Sequence, residues 1–438
     1  MLDLYAERNS RVLLAMCQTT QRSDTFLHRD QRGSTEICGS SDIHCSSVPR
    51  LPTTHPPTLT PSHNMAPALD SSASQQFKEN LTLVATHEKK LELKRSACPK
   101  PGPGQALVHV RATGVCGSDV HFWQHAGLGP WKITDCTALG HESGGEVVAV
   151  GEGVTNVSVG DRVAIEPGVP CGKATCNFCL TGQYNLCPTV DFYSVPPKDG
   201  TLTRYHVHPA GWLHKVPKSM KWAEIALLEP LSVCLSATLR AELKLGQPVL
   251  ITGAGPIGVV QLLCAKASGC SPIVITDLSS ERLDFAKKLV PSVNTYQVDT
   301  KKDAKTAARE IVDVFTNAAD MGVQVMPEVT MECTGVESSI HTAAYATQSA
   351  GLVFIVGVGK DFIQVPFMEL SVRQITVSHL FRYSNTWPRA IRLVAGGVID
   401  LLPIVTKTFP LEQADDAVRH SADRTKFSVK TLIVDGEE

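Results

Sequence analysis

The chain has 438 residues, of which 43% are hydrophobic and 19% charged, with a formal net charge of -2. That length allows roughly two to three domains with a sizeable core, and the near-neutral balance argues against nucleic acid or an anionic membrane as the main partner. No apolar run approaches the ~20 residues needed to span a bilayer, and nothing marks the chain as secreted, so its 14 cysteines read as metal ligands or buried small hydrophobes rather than a disulfide frame.

Residues 1–64 hold the Pro-, Thr- and Ser-rich run "SVPRLPTTHPPTLTPSHN". It has neither a 2-residue nor a 3.6-residue period. Such a segment buries too little apolar surface to offset its ordering entropy, so it reads as disordered. The apolar run "VLLAMC" is too short for a secretory signal, and the acids scattered among the arginines argue against a transit peptide. Met65 opens a stretch that looks like a natural chain start, so the extension is assigned no function.

From Leu81 to Pro167 the pattern is mostly β. "NLTLVATHEKKLELKR", "QALVHVRATGV", "SGGEVVAVGEGV" and "GDRVAIEP" are short runs divided by Gly and Pro clusters. That predicts a barrel or sandwich. From Pro248 to Val377 the texture becomes α/β. "PVLITGAG" reads as a buried strand, "PIGVVQLLCAKASG" as a helix ending at Gly269, "PIVITD" as a strand and "SSERLDFAKKL" as a helix. "PEVTMECTG" and "GLVFIVGVG" add two strands, which predicts a parallel sheet with helices on both faces. Near the end, "FSVKTLIVDG" is a strand free to return to the first domain.

"ITGAGPIG" carries Gly253, Gly255 and Gly258 as G-x-G-x-x-G between a predicted strand and a predicted helix. That context, not the motif alone, points to a dinucleotide. The glycines permit the tight turn, the approach of a pyrophosphate and close helix–strand packing, with the helix N-terminus facing the phosphates. Asp277 ends the next strand, nineteen residues after Gly258. A carboxylate there accepts from both ribose hydroxyls and repels a 2′-phosphate, which favours NAD over NADP. Arg282 is placed to lie against the adenine or its ribose. A bare structural turn is the alternative.

"CGKATCNFCLTGQYNLC" places Cys171, Cys176, Cys179 and Cys187 in one loop. Four thiolates this close suit a closed tetrahedral zinc site, which is structural. A disulfide pair or four unligated thiols are the rivals. Elsewhere, "GVCGSDVHFW" supplies Cys116, "ALGHESGG" supplies His141 and Glu142, and "ALLEPLSV" supplies Glu229. A catalytic zinc needs about three such ligands and an open position. Adjacent strand residues point to opposite faces, so His141 and Glu142 share a metal only if the backbone turns sharply, which Gly140 eases. Spacing alone does not join these segments.

With these motifs in this order, together with "ECTGVESSI" and "FRYSNTWPRAIRL", the chain from Leu81 onward resembles the zinc-dependent medium-chain dehydrogenases, polyol branch. The resemblance implies a GroES-like β-barrel catalytic domain interrupted by a Rossmann doubly wound parallel-sheet domain. The boundaries expected are 65–226 for the first part of the catalytic domain, 227–380 for the Rossmann domain and 381–438 for the catalytic return. It implies a catalytic zinc on Cys116, His141 and Glu142, with Glu229 a direct or water-bridged ligand, and Ser118 and His121 as polar groups beside it. Phe122, Phe192, Arg382 and Tyr383 match positions lining the polyol site. Gly253 to Gly258 (with Pro256 and Ile257), Asp277, Arg282, Val356 and the turn Leu380–Phe381–Arg382 match NAD contacts. The implied activity is oxidation of a sugar alcohol, such as L-arabinitol, xylitol or sorbitol, to the ketose by a cytoplasmic homo-oligomer, a tetramer or dimer. A dehydrogenase of simple secondary alcohols or diols, or an inactive binding relative, is the alternative. Two departures stand out. The family's cysteine lobe begins C-x2-C-x2-C, whereas four residues separate Cys171 from Cys176 here. In "GLGPWKIT", Trp131 fills more volume than the residue expected in that pocket segment.

Overall fold

The computed structural model describes residues 77–436, which fall in one compact unit, Ser71–Glu438. The expected disordered extension over 1–64 lies outside the described residues.

The long strand Gln105–Gly114 organises the catalytic part. It pairs antiparallel with Glu142–Val150, with Tyr205–Pro209 and with the late strand Lys430–Val434. The sheet runs on through Arg162–Ile165 to Leu213–Lys215 on one side and Val405–Pro410 on the other, seven strands in all. Asn80–Thr86, Leu91–Ser96 and Cys136–Ala138 form a separate three-stranded sheet. Val108, Val110, Val147, Val163 and Ile165 fill one core beneath the large sheet. Leu83, Leu139 and Leu202 anchor another, under the three-stranded sheet. Each fully buried side chain of this kind contributes about 1.5–3 kcal/mol. The predicted return of "FSVKTLIVDG" is the pairing of Leu432, Ile433 and Val434 with Gly114, Thr113 and Ala112.

The second part is a six-stranded parallel sheet. Its spatial order is Asn294–Gln297, Ile273–Asp277, Val249–Thr252, Val329–Glu332, Leu352–Ile355 and Thr376–His379. Val249 and Ile251 face the core against the helix Pro256–Ala267, and Leu250 faces the opposite core against the helix Ala304–Ala319. That split by alternate residues puts helices on both faces of the sheet. The order reverses between Val249–Thr252 and Val329–Glu332, so a crevice opens at their carboxyl ends, where such sheets bind ligands. The two outermost strands carry the most exposed residues.

Candidate functional site

The segment Val115–His125 builds one wall. Cys116 is the N-cap of the helix Gly117–His125 and Asp119 is its third residue, completing a capping box. Asp119, fully buried, accepts from the Cys116 N–H and from the Gly140 N–H, both at 2.9 Å. One carboxylate thus staples the two segments that carry Cys116 and His141. Burial raises its pKa, and the nearby His141 opposes the rise.

Gly140 has φ +87°, and a Cβ there would meet the Leu202 backbone at 2.8 Å. Only glycine makes this turn at no steric cost. It lets His141 precede the strand while Glu142 begins it, so both reach one place. Donor atoms of Cys116, His141 and Glu142 lie within 4.8 Å of one another. His141 Nδ1 is 3.0 Å from the buried Ser194 hydroxyl, which leaves Nε2 as the metal-facing nitrogen. A sulfur, an imidazole and a carboxylate on three short segments form a donor set suited to zinc with an open position. Burial, then the Glu142 charge, push the Cys116 thiol up to about 11 without a metal.

Glu142 is held by Lys430, whose Nζ lies 2.7 and 2.6 Å from its two oxygens. Sequence reading missed this lysine and Asp119. The C-x-x-D spacing of a capping box was a usable signal for Asp119; nothing local marks Lys430.

Glu229 opens the helix Leu228–Arg240, buried beside this trio but outside it. Burial raises its pKa to about 8, with His141 opposing and Glu142 adding to the rise. Tyr383 lies close to Glu229, yet its hydroxyl and that of Ser118 are buried without a hydrogen bond of full geometry. Two hydroxyls without a full hydrogen bond beside a donor cluster are what a polar ligand would satisfy. His121 is exposed, its ring 5.4 Å from that of His125.

Phe192 connects the donor cluster to the cationic side of the cleft. Its ring centroid is 5.7 Å from that of His141, and the Arg382 guanidinium carbon sits 3.7 Å over it. The same carbon is 4.5 Å from the Phe381 ring and 5.8 Å from that of Trp131. Burial lowers the Arg382 pKa to about 10, still charged at neutral pH. Phe122 is 1% exposed and packs with Leu83, Val115 and Leu139, on the face of its short helix that also buries Asp119.

In the nucleotide turn, a Cβ on Gly258 would lie 1.8 Å from the Gly253 carbonyl oxygen, so only glycine packs there. Gly255 caps the helix that begins at Pro256 and Ile257, with the Arg282 guanidinium near it. Asp277 accepts from the Ala254 N–H at 2.7 Å and from the Ser279 N–H at 2.9 Å. Across the switch point, the buried Glu332 accepts from Thr252, Thr334, Gly335 and Ser339 and fixes the neighbouring loop. Val356 and Leu380 follow the next two parallel strands at the same end of the sheet. The cradle fits a dinucleotide.

The four lobe cysteines also converge. Cys171 and Cys179 sulfurs are 3.7 Å apart, and those of Cys176 and Cys187 are 3.9 Å apart. A tetrahedron with Zn–S of about 2.3 Å has S···S edges of about 3.8 Å, whereas a disulfide needs about 2.05 Å. Burial works against the Cys187 thiolate, but N–H groups of Cys171 and Thr189 bring its pKa down to about 6. The extra spacing after Cys171 is absorbed in a turn before the helical residues Asn177–Leu180.

Residues 102–218 match the alcohol dehydrogenase GroES-like domain, and residues 256–396 match the zinc-binding dehydrogenase domain. The L-arabinitol 4-dehydrogenase of Hypocrea jecorina is 51% identical over 331 residues, covering 76% of this chain and 85% of that protein. The sorbitol dehydrogenase of Gallus gallus is 43% identical over 339 residues, covering 77% of this chain and 92% of its own. The solved structure of L-idonate 5-dehydrogenase from Escherichia coli is similar with a TM-score of 0.70 at 27% identity, over 82% of this chain and 98% of that one. Two donor clusters, a GroES-like domain and a nucleotide sheet agree with these likenesses, and the chain belongs to the zinc-dependent medium-chain dehydrogenases, in the branch that holds the L-arabinitol 4- and sorbitol dehydrogenases.

Proposed function

We propose that this chain oxidises a secondary hydroxyl of a sugar alcohol, L-arabinitol or xylitol or sorbitol, to the ketose, with NAD as hydride acceptor. The observation that carries the reading is Arg382, a half-buried cation flanked by three aromatic rings and linked through Phe192 to the His141 donor cluster. A monohydric alcohol would leave that guanidinium unpaired, whereas a polyol offers it several oxygens.

Cys116, His141 and Glu142 would hold the catalytic zinc, with Glu229 in a bridging place beside them. Cys171, Cys176, Cys179 and Cys187 would hold a second, structural zinc. Bound zinc supplies a Lewis acid that makes the alcohol acidic, and NAD supplies the hydride acceptor. Asp277 would accept from the adenosine ribose, and the helix starting at Pro256 would face the pyrophosphate. Arg382 and Tyr383 orient the remaining hydroxyls. Ser118 would relay the hydroxyl proton, with the Glu229 carboxylate or the exposed His121 as its acceptor on the way to solvent.

Self-association is part of the same reading. Thr376–His379 is the open edge of the parallel sheet, and Val358, Phe362, Phe367, Met368 and Val372 are exposed in the segment leading to it. Pairing two such edges would cover that apolar surface. The free thiols of the described residues suit a reducing, cytoplasmic compartment. Among the described residues no helix is long and apolar enough to cross a membrane.

The test compares rates with NAD on L-arabinitol, xylitol, sorbitol, galactitol and 2-propanol, before and after zinc removal. Polyol oxidation that stops on zinc removal is expected. Negligible rates on all four polyols, or full rates without zinc, would sink the reading.

A further inference from the structure

The four-cysteine lobe touches the segment that carries Arg382 and Tyr383, at both of its ends. Asn185, in the lobe, donates its side-chain N–H to the Phe381 carbonyl at 2.7 Å. Asn385 donates its side-chain N–H to the Gly182 carbonyl at 2.7 Å, also in the lobe. The backbone N–H of Asn385 donates to the Tyr184 hydroxyl at 2.8 Å. That hydroxyl in turn donates to the buried Glu166 carboxylate at 2.7 Å, whose other oxygen lies 2.6 Å from His214 Nε2. The His214 ring stacks on Trp387, with an interplanar angle of 4°, so the chain of contacts ends on the same segment where it leaves the loop.

Arg382 and Asn385 both have left-handed backbones, at φ +57° and +58°. Residues other than glycine adopt this conformation only when their surroundings hold them there. The clamp is a sufficient cause: it grips the residue before Arg382 and the residue two after Tyr383. Burial, then the Glu166 charge, raise the Tyr184 phenol's pKa, so the hydroxyl remains a donor at any physiological pH. Tyr184, Asn185, Phe192, Arg382 and Tyr383 also line one small pocket. The lobe therefore reaches the substrate side of the cleft as well as its own metal cluster.

We propose that the four-cysteine lobe is a positioning element of the polyol site: through Tyr184, Asn185 and Gly182 it sets the place and backbone conformation of Arg382 and Tyr383. Tyr184, Asn185 and Asn385 are then positioning residues, acting through Arg382 without touching substrate. The proposal rests on the reading that Arg382 faces the polyol.

The test uses the zinc-loaded full chain and the variants Asn185→Ala, Asn385→Ala, Asn385→Gly, Tyr184→Phe, Cys179→Ser and Arg382→Ala. For each, KM for the polyol, kcat, the NAD dissociation constant by fluorescence and zinc per chain are measured. Each clamp variant is expected to raise the polyol KM roughly five- to tenfold, the worth of about one lost hydrogen bond. Zinc per chain should stay within twofold of the parent, and NAD affinity should change less than the polyol KM does. Asn385→Gly keeps the left-handed backbone but drops the bond to Gly182, so it should behave as Asn385→Ala does. Cys179→Ser should lose one zinc per chain and show the same rise in KM. Parent-like KM in Asn385→Gly, or zinc loss with unchanged KM in Cys179→Ser, would overturn the proposal. Unchanged KM in all four clamp variants, Asn185→Ala, Asn385→Ala, Asn385→Gly and Tyr184→Phe, while Arg382→Ala raises it would overturn the clamp and leave the site reading intact. Unchanged KM in Arg382→Ala would remove the site reading itself.

Discussion

Lys430 Nζ sits between the two carboxylate oxygens of Glu142, and both side chains are 2% exposed. The same Nζ donates to the Val115 carbonyl at 3.1 Å, next to Cys116. This buried cation stands where the cluster's negative donors converge, and it balances Glu142 when no metal does.

Removing that cation should leave an uncompensated buried charge. Lys430→Met is expected to lower the stability of zinc-stripped protein by about 3 kcal/mol, the scale for breaking a buried pair from one side. Added zinc should narrow the gap, because the metal supplies the missing positive charge. Urea unfolding of parent and variant with and without zinc measures both effects. A gap of the same size in both conditions would mean that Glu142 never exchanges its lysine for the metal.

Asp277 caps the nucleotide turn through Ala254 and Ser279 and would meet a 2′-phosphate with like charge. Asp277→Ser is expected to lower kcat/KM for NAD by at least about tenfold, roughly the worth of a charged hydrogen bond. The same change should raise kcat/KM for NADP. Initial rates with both cofactors give the ratio. If NADP gains nothing, the carboxylate is not what excludes it.

Trp131 faces Arg382 at 5.8 Å and is only partly buried. Trp131→Phe removes ring surface and weakens the cation–ring contact by about 0.5–1 kcal/mol, or two- to fivefold in affinity. The change should fall unequally on L-arabinitol, xylitol and sorbitol, which differ in length and stereochemistry. A KM ratio that is the same for all three would assign Trp131 to the wall alone.

His206 and His208 are buried, with ring nitrogens 3.1 Å apart. Burial lowers the His206 pKa from 6.5 to about 4. Between those values the unfolded chain binds the proton and the folded chain does not. Stability is therefore whole above pH 6.5 and falls as the pH drops toward 4, by up to about 3 kcal/mol for this residue. His206→Gln should flatten that acid limb. Urea midpoints at pH 7.5, 6 and 5 measure it, and an unchanged slope in the variant would rule out His206 as a source.

What could be read from the chain was local. Gly253, Gly255, Gly258 and Asp277 lie within one βαβ unit, and the four lobe cysteines lie within seventeen residues. Their spacing carries the geometry. Lys430 and Glu142 are 288 residues apart, and Asn185 and Phe381 are 196 apart. No period or motif joins such pairs, and a lysine in a terminal strand reads as a surface residue until its burial is seen. The edge strands Asn294–Gln297 and Thr376–His379 escaped notice because they are short and half-exposed, without a buried strand's apolar run. Phe122 was read from its neighbours in the motif, and only packing showed which way its ring turns.

Because Lys430 belongs to the last strand, the chemistry of this cleft depends on the order in which the chain is made. Cys116, His141 and Glu142 leave the ribosome early, and the whole parallel sheet follows before Lys430 does. A chain cut short after His379 would hold every strand of its nucleotide sheet and every donor of the trio. Its Glu142 would lack the buried Lys430 ammonium that holds both of its oxygens. The completed catalytic wall thus waits for the strand Lys430–Val434, which follows the whole nucleotide sheet in the chain.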